Sequence, residues 1–199
     1  MYDIPMMKKI ESKKERIIEA CAKAISTSGF KKASVLDVAK EAGVAKGLIY
    51  YYFDNRNKLI FETYLYYVEK LKSYIDSKMR KSVDLFELLE STIRAKVTFF
   101  KDYPEARKFL ELSMTGDNKL ISEFNRKSTL DSNNLIYENI DRTRFKRESD
   151  IQIVLQMVSL IGQSIFSKVN SNTDIDKIMK DCHAYLKIIK MSVYKENEV

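Results

Sequence analysis

Residues 34–58, SVLDVAKEAGVAKGLIYYYFDNRNK, decide the fold of this chain. Ser34 is a favourable N-cap, and Asp37 follows at the capping-box spacing. Apolar residues then recur at helical spacing until Gly43, which stands where a left-handed C′ residue is favoured. The pattern predicts a first short helix, a tight turn and a second helix over residues 45–53.

Two helices this short are not stable alone, so another part of the chain has to brace them. The apolar spacing ahead of them predicts a helix over about residues 12–28, ended by Gly29, after a loose arm over residues 1–9. The helical pattern breaks again at Asp54, and another helix begins near Arg56. This layout predicts a helix-turn-helix, whose second helix lies in the major groove of DNA.

The outer side of the second helix carries groups suited to nucleic acid. Lys46 lies in its first turn and can reach a base edge or a phosphate, although a solvated surface lysine is the alternative. Gly47 allows a DNA backbone to come close. Tyr50, Tyr51 and Tyr52 are consecutive, so they cannot all face one core, and a phenol that points outward is a phosphate donor. The alternative interpretation buries Tyr50 and Tyr52 in part and exposes only Tyr51.

The segment GVAKGLIYYYFDNRNKL, residues 43–59, resembles the one that marks TetR-type (tetracycline-repressor-like) regulators, usually written GVSKGTLYHYFxSKEEL. The resemblance covers about the first 60 residues. The positions in register with the pattern are Gly43, Val44, Lys46, Gly47, Tyr50, Tyr52, Phe53 and Leu59. It implies an all-helical dimer with an N-terminal DNA-binding domain and a C-terminal ligand-binding domain. It also implies that the second helix faces an operator.

Three positions depart from the family pattern. Ala45 replaces a serine, so the cap and the phosphate contact are left to a backbone N–H. Leu48 replaces a threonine and suits a thymine methyl group instead of a hydrogen bond. Tyr51 replaces a histidine. The residues expected to face the operator are Ser34, Ala45, Lys46, Gly47, Leu48, Tyr50, Tyr51, Tyr52, Arg56 and Lys58.

Composition and charge agree with this interpretation. The chain has 199 residues, 45% hydrophobic and 32% charged, with 5 Gly and 2 Pro, which is typical of a helix-rich, all-α protein. The net charge is +7, and residues 1–58 hold 12 Lys and Arg against 7 Asp and Glu. Most of the positive excess therefore lies with the predicted helix-turn-helix, where phosphates would bind, although a solvated lysine-rich surface remains the alternative.

Residues 1–58 are predicted to form the three-helix DNA-binding domain, and residues 59–199 a helical bundle for ligand binding and dimerisation. Helical spacing predicts the bundle helices at residues 58–79, 83–101, from 104, at 119–140, 151–169 and 172–193. The segment 151–169 is apolar on nearly all sides, so we expect it to be covered by its own bundle and by a second copy. The residues expected at this interface are Val158, Ile161, Ile165, Leu186 and Ile189.

The bundle is rich in aromatic residues and methionine, which suits a pocket for a small apolar or amphipathic effector that releases the operator. The residues expected to line it are Tyr67, Tyr74, Phe99, Phe100, Phe109, Met114 and Phe124. The alternative is that these side chains only fill the core.

The sequence offers little for catalysis, metals or cofactors. His183 is the single histidine, there is no Gly-rich phosphate loop, and Cys21 and Cys182 lack metal-ligand spacing. We therefore expect no enzyme, no metal and no cofactor. The N-terminus lacks a signal-peptide pattern and no segment is long and apolar enough to span a bilayer, so the expected compartment is the cytoplasm.

Two other classes remain open at this stage. A basic helical protein could bind anionic membrane surfaces or a protein partner, but it would be expected to show one long basic amphipathic helix. A bundle enzyme would need clustered catalytic groups. Retention on duplex DNA compared with anionic vesicles, at rising salt, separates the classes.

Overall fold

The computed structural model describes residues 4–78, 82–115 and 118–196. Within these ranges the chain is all-α, as predicted. The helices are α1 (Ile4–Lys32), α2 (Val35–Ala42), α3 (Lys46–Phe53), α4 (Arg56–Lys78), α5 (Leu85–Asp102), α6 (Pro104–Thr115), α7 (Lys119–Asn139), α8 (Asp150–Phe166) and α9 (Ile175–Val193). A short 3₁₀ turn, Arg142–Arg144, lies between α7 and α8.

The predicted helices agree with these bounds to within about three residues, except at α1. The loose arm predicted over residues 1–9 is wrong for residues 4–9, which are helical. Pro5 stands in the first turn of α1, where its missing N–H costs no hydrogen bond. Gly29 interrupts α1 as predicted, with φ 77° and ψ 165°, a conformation essentially confined to glycine. Met79, placed on the inner side of α4 by its spacing, lies outside the described residues.

The helices form two compact units, Met1–Lys70 with Glu105–Glu123, and Leu71–Pro104 with Phe124–Val199. The core of the first unit contains apolar residues of α1 to α4 that recur at helical spacing: Ile17, Cys21, Ile25, Val35, Val38, Ala39, Ile49, Phe53, Leu59 and Ile60. From α6, Phe109 is fully buried and its ring lies 6.0 Å from that of Tyr67 and 6.2 Å from that of Phe30. The two short helices are therefore supported by the rest of their own unit.

In the second unit, α5 packs against α8 and α9. The fully buried ring of Tyr194, just after α9, lies 5.1 Å from Phe86 and 4.7 Å from Phe145. Phe145 and Tyr194 also form an isolated antiparallel bridge, which fixes the segment before α8 to the end of α9. Residues 141–150 lie between two predicted helices and were not assigned to an element, so this buried contact was not predicted.

Both cysteines are buried and free, as expected of small core residues. Burial raises the pKa of the Cys21 thiol to about 11, and the nearby Thr63 and Arg56 only partly offset it. This thiol is therefore protonated at neutral pH. Among the described residues, no helix has the length and apolar character that crossing a bilayer requires.

Candidate nucleic-acid interface

The turn between α2 and α3 has the geometry that the sequence predicted. Ser34 caps α2 in a capping box, since its hydroxyl accepts a hydrogen bond from the Asp37 amide at 3.2 Å and its own amide donates to the Asp37 carboxylate at 2.9 Å. Gly43 ends the helix in the left-handed region, with φ 63° and ψ 41°. Val44, which follows Gly43 in the turn, is half-buried. The caps fix the direction in which α3 leaves the turn.

A side chain of α1 stabilises the turn between α2 and α3 by a hydrogen bond. The guanidinium of Arg16 donates to the carbonyl oxygen of Ala42, the last residue of α2, at 2.6 Å. A Cβ built at Gly43 would lie 3.3 Å from the same guanidinium nitrogen, so glycine also leaves room for the brace. The role of Arg16 was not predictable from the sequence, because its partner lies 26 residues further along the chain.

The third helix has one buried and one exposed side. Ile49 and Phe53 are almost fully buried, while Lys46, Gly47, Tyr50 and Tyr51 are exposed. Tyr51 has 79% of its surface exposed, so the prediction that at least one of the three tyrosines points outward is confirmed. Tyr50 is also exposed and Tyr52 is half-buried, which differs from the alternative in which only Tyr51 is exposed.

The exposed side of α3 presents cationic and phenolic groups together. The ammonium of Lys46 lies 5.7 Å from the centre of the Tyr50 ring, within the range of a cation–π contact. Ala45 occupies the N-cap without a side-chain hydrogen bond, which leaves the first amides of α3 without a side-chain cap. Leu48 is half-buried, so only part of its side chain faces outward.

Ser34 and Lys58, the outer members of the predicted set, are both exposed. The Ser34 hydroxyl donates a hydrogen bond to the Asp37 carboxylate at 2.6 Å. The hydroxyl and the amide of Ser34 hold the pKa of Asp37 below its ordinary value. The Lys58 amide is capped by the side chain of Asn55 at 2.9 Å, at the start of α4. Operator contacts by these residues stay predictions.

The guanidinium of Arg56 contacts the protein itself, whereas the sequence predicted a contact with the operator. Its guanidinium is partly buried and donates to the carbonyl oxygens of Phe30 and Ala33, with Nη2 and Nε at 3.1 and 3.3 Å from the Ala33 oxygen. It therefore joins the start of α4 to the last turn of α1 and to the segment between α1 and α2. Its predicted role at the operator stays a prediction, but the observed contacts are those of a brace.

Arg56→Ala is expected to lower the free energy of unfolding by about 1.5–3 kcal/mol, since hydrogen bonds from a charged group to two carbonyls are lost. Urea denaturation of the DNA-free protein measures it. Lys58→Ala removes the same charge from an exposed position two residues away and is expected to change stability by less than about 0.5 kcal/mol. Equal stability of the two variants, with a loss of affinity for every DNA sequence in Arg56→Ala alone, would favour the phosphate role instead.

Three of the five dimer residues chosen from the sequence lie on the buried side of their helices. Val158, Leu186 and Ile189 are buried in the core of the second unit, and Ile161 and Ile165 are half-buried. Buried side chains cannot also cover a partner, so the assignment is corrected for Val158, Leu186 and Ile189, while that of Ile161 and Ile165 stays a prediction. The apolar side chains that α8 and α9 expose are Ile153, Met157, Leu160, Tyr185, Ile188 and Met191.

The predicted pocket residues are divided between the two compact units. Tyr67, Phe109 and Met114 belong to the first unit, and the other four belong to the second: Tyr74, Phe99, Phe100 and Phe124. Phe99 and Phe109 are fully buried and pack against aromatic neighbours, which is the core-filling alternative. Met114 is exposed. The pocket assignment stays a prediction.

The described residues that could serve catalysis or metal binding do not form a cluster. His183 is exposed and its Nδ1 lies 3.1 Å from a Glu90 carboxylate oxygen. Over the described ranges, no three His, Cys, Asp or Glu side chains are placed to hold a metal ion. The site with a definite geometry is thus the pair α2–α3, and the fold and this pair define a helix-turn-helix protein.

Comparison with known proteins gives a family match for the region that contains the helix-turn-helix. Residues 17–63 match the model of bacterial regulatory proteins, tetR family. The Bacillus subtilis (strain 168) protein named uncharacterized HTH-type transcriptional regulator YvdT is 44% identical over 55 residues, which are 28% of each chain. The resemblance to TetR-type regulators that the α2–α3 segment indicated is therefore confirmed over residues 17–63.

Two solved structures share the fold over most of their length. A putative TetR-family transcriptional regulator from Rhodococcus sp. aligns with a TM-score of 0.75 and 16% identity, covering 90% of this chain and 99% of that one. The fatty acid degradation regulator FadR from Bacillus halodurans aligns with a TM-score of 0.67 and 23% identity, covering 90% and 93%. The chain spans less than half the length of the first curated relatives it matches.

Proposed function

We propose that this chain is a ligand-responsive DNA-binding transcriptional regulator, acting as a repressor, which binds a palindromic operator as a homodimer. A small apolar or amphipathic effector releases it. The observation that carries the proposal is the outer side of α3, where Lys46, Gly47 and Tyr51 are exposed on a helix fixed by a capped and braced turn. Such a helix presents donors at a constant distance from one another, as reading a major groove requires.

Gly47 supports a close external partner. Glycine in a helix costs about 1 kcal/mol relative to alanine. A Cβ at Gly47 would meet nothing within 4 Å, and its backbone is not in the left-handed region, so the protein itself has no steric need for glycine there. A DNA backbone in contact with α3 supplies such a need.

A homodimer is supported by the apolar face of α8 and α9, which consists of Ile153, Met157, Leu160, Tyr185, Ile188 and Met191. These side chains come from two neighbouring helices, and a patch of this kind on a soluble chain is typical of an interface. A second copy that presents the same patch gives a two-fold assembly. Its two recognition helices would read half-sites about 34–36 Å apart, or a multiple of that distance.

Effector release is proposed through α4. This helix is continuous from Arg56 to Lys78, and its residues belong to the first unit up to Lys70 and to the second from Leu71. An effector acts only through different affinities for the two states of the protein. A preference of about 100-fold corresponds to about 2.7 kcal/mol, enough to lower operator occupancy. FadR is named a fatty acid degradation regulator, and the amphipathic effector proposed here rests on analogy with that protein.

Lys46→Ala is expected to weaken binding to the specific site by about 1–3 kcal/mol, because a base contact of α3 is lost. The site is first obtained by sequencing the genomic fragments that the protein selects, and affinity is then measured by fluorescence anisotropy on that site and on a scrambled duplex. Lys180→Ala, an exposed lysine of α9, removes the same charge outside the DNA-binding unit and serves as the control.

Unchanged affinity of Lys46→Ala for the selected site would contradict the assignment of α3. Equal losses on the selected and scrambled duplexes would mean that Lys46 contacts a phosphate and not a base. Equal retention of the native protein on duplex DNA and on anionic vesicles, at every salt concentration, would contradict the function itself.

A further inference from the structure

The first unit contains a cleft that none of the predicted pocket residues lines. It has a volume of about 830 Å³, within the range of small-molecule sites, and is open to solvent. Its lining residues come from the end of α1, the start of α4, the end of α6 and the start of α7: Ser28, Gly29, Phe30, Lys31, Lys32, Arg56, Asn57, Ile60, Leu112, Asn118, Lys119 and Leu120.

The cleft combines a cationic rim with an apolar floor. Lys31, Lys32 and Lys119 are exposed around it, and none of them has an acidic partner among the described residues. No carboxylate occurs among the residues that line it within the described ranges. Ile60 is buried at the floor, and Phe30 and Leu112 are half-buried there. Like charges gathered without a counter-charge favour an anion.

Two donors that line the cleft have fixed orientations. The side-chain oxygen of Asn118 accepts the Leu120 amide at 3.1 Å, which caps the start of α7 and turns the Nδ2 amide group the other way. That nitrogen is buried and has no hydrogen-bond partner in the described part of the chain. Arg56 uses Nε and Nη2 on backbone carbonyls, and no described residue accepts from its Nη1. A buried donor without an acceptor is costly unless a ligand supplies one.

The positions of Lys31 and Lys32 in the last turn of α1 have a simpler explanation, because cations favour a helix C-terminus. That explanation does not apply to Lys119 or to the unpaired amide of Asn118, which lie at the start of α7. The preference of cations for a helix C-terminus also does not explain the apolar residues on the floor of the cleft. DNA phosphate would match the cations, but a sugar-phosphate backbone has no apolar segment to cover Phe30, Ile60 and Leu112.

We propose that this cleft binds an amphipathic organic anion, with the anionic group held by Lys32, Lys119 and the Asn118 amide and the apolar part lying on Phe30, Ile60 and Leu112. The ligand class is a carboxylate or a similar acid with a hydrocarbon portion. The binding claim goes beyond the proposed function and does not depend on DNA binding, so it is tested on the DNA-free protein.

The chain has no tryptophan, so Leu120→Trp introduces a single fluorophore at the cleft, and Leu36→Trp on α2 introduces a matched reporter that does not line it. Decanoate is the probe, and decan-1-ol and decyltrimethylammonium are its neutral and cationic counterparts. Decanoate is expected to change the fluorescence of Leu120→Trp and not of Leu36→Trp, and decan-1-ol to bind about tenfold more weakly or worse.

The charge requirement is tested by calorimetry of decanoate binding. Lys32→Gln combined with Lys119→Gln is expected to weaken decanoate about tenfold or more and to leave decan-1-ol unchanged. Lys40→Gln, an exposed lysine of α2 outside the cleft, is expected to bind decanoate like the native protein. Asn118→Ala is expected to weaken decanoate without a change of net charge.

Three outcomes would overturn the proposal. Equal affinity for decanoate and decan-1-ol would exclude an anion site. Calorimetric binding without a response of Leu120→Trp would place the ligand elsewhere in the protein. Displacement of decanoate by duplex DNA, with an equal loss of DNA affinity in the lysine double variant, would make the cleft a phosphate-binding surface. Loss of operator binding alone would contradict the proposed function and leave this site standing.

Discussion

Replacing Leu160 and Ile188 together by glutamate is expected to convert the protein into a folded monomer with little affinity for a palindromic site. Each side chain has 67% of its surface exposed, so neither carboxylate disturbs the core of its own unit. In a two-fold dimer each substitution enters the interface twice, and every buried carboxylate lacks a partner. A total cost of at least about 4 kcal/mol raises the dimer dissociation constant about 1,000-fold or more.

Light scattering coupled to size-exclusion chromatography, at micromolar protomer concentration, measures the mass, and circular dichroism verifies that the helices remain. Leu135→Glu is the matched control, because Leu135 of α7 has 63% of its surface exposed and undergoes the same chemical change outside the α8–α9 face. The control is expected to keep the mass of the native protein. A native protein that is already monomeric, or a double variant that remains dimeric, would contradict the assigned interface.

Val158→Glu separates this interface from the one that the sequence indicated. Val158 lies on the buried side of α8, so an unpaired carboxylate there is expected to unfold the second unit and not to release a folded monomer. Val158 and Leu160 lie only two residues apart on α8. Glutamate at Val158 is expected to give an unfolded second unit, whereas glutamate at Leu160, together with Ile188→Glu, is expected to give a folded monomer. A folded, monomeric Val158→Glu protein would restore the interface predicted from the sequence.

The difference between the two sides of α8 shows where sequence reasoning stops. Both sides carry apolar residues at helical spacing, so periodicity alone cannot say which stripe meets the core. The choice is made by α5 and α9, which pack on the side of Val154 and Val158. Helix packing is a tertiary effect, so the spacing of the apolar residues could not show that Val158 lies on the buried stripe of α8.

The helix-turn-helix was predictable because its signals are local. The capping box of Ser34 and Asp37 and the left-handed Gly43 involve residues within a few positions of one another. The braces from Arg16 and Arg56 were not predictable, since each guanidinium meets backbone carbonyls that lie at least 23 residues away. Every residue has a backbone carbonyl, so the residue types in a sequence do not show which carbonyl will accept a hydrogen bond from an arginine.

A second large effect is expected at Asp84, whose carboxylate joins three parts of the second unit. The side chain is only 4% exposed and accepts the amides of Phe86 and Glu87 at 2.8 and 3.2 Å, which caps α5. Its other oxygen lies 2.6 Å from Arg144 and 3.2 Å from Lys190 of α9. Burial by itself would raise the pKa of Asp84, but the amides and Lys190 outweigh burial and hold the pKa below its ordinary value.

Asp84→Ala is expected to lower the free energy of unfolding by about 3–5 kcal/mol, because two cations lose their buried counter-charge and α5 loses its cap. Asp84→Asn keeps an oxygen that can accept hydrogen bonds from the Phe86 and Glu87 amides. It is therefore expected to lower the free energy of unfolding less than Asp84→Ala does. Asp176→Ala removes an exposed carboxylate that pairs with Arg94 at 3.2 Å, and little change is expected there. Urea unfolding in the Leu160→Glu, Ile188→Glu background measures these effects without a contribution from dimerisation.

The effect of Asp84 also has a defined dependence on pH. Because the folded pKa is lowered, the carboxylate contributes its stability above the ordinary value of about 3.9 and loses it as the pH falls through the folded pKa. The difference between the native side chain and Asp84→Ala is therefore expected to be constant from pH 7 to about pH 5 and to shrink below about pH 4. The same difference at pH 7 and pH 3 would mean that the cap and packing, and not the charge, account for the role of Asp84.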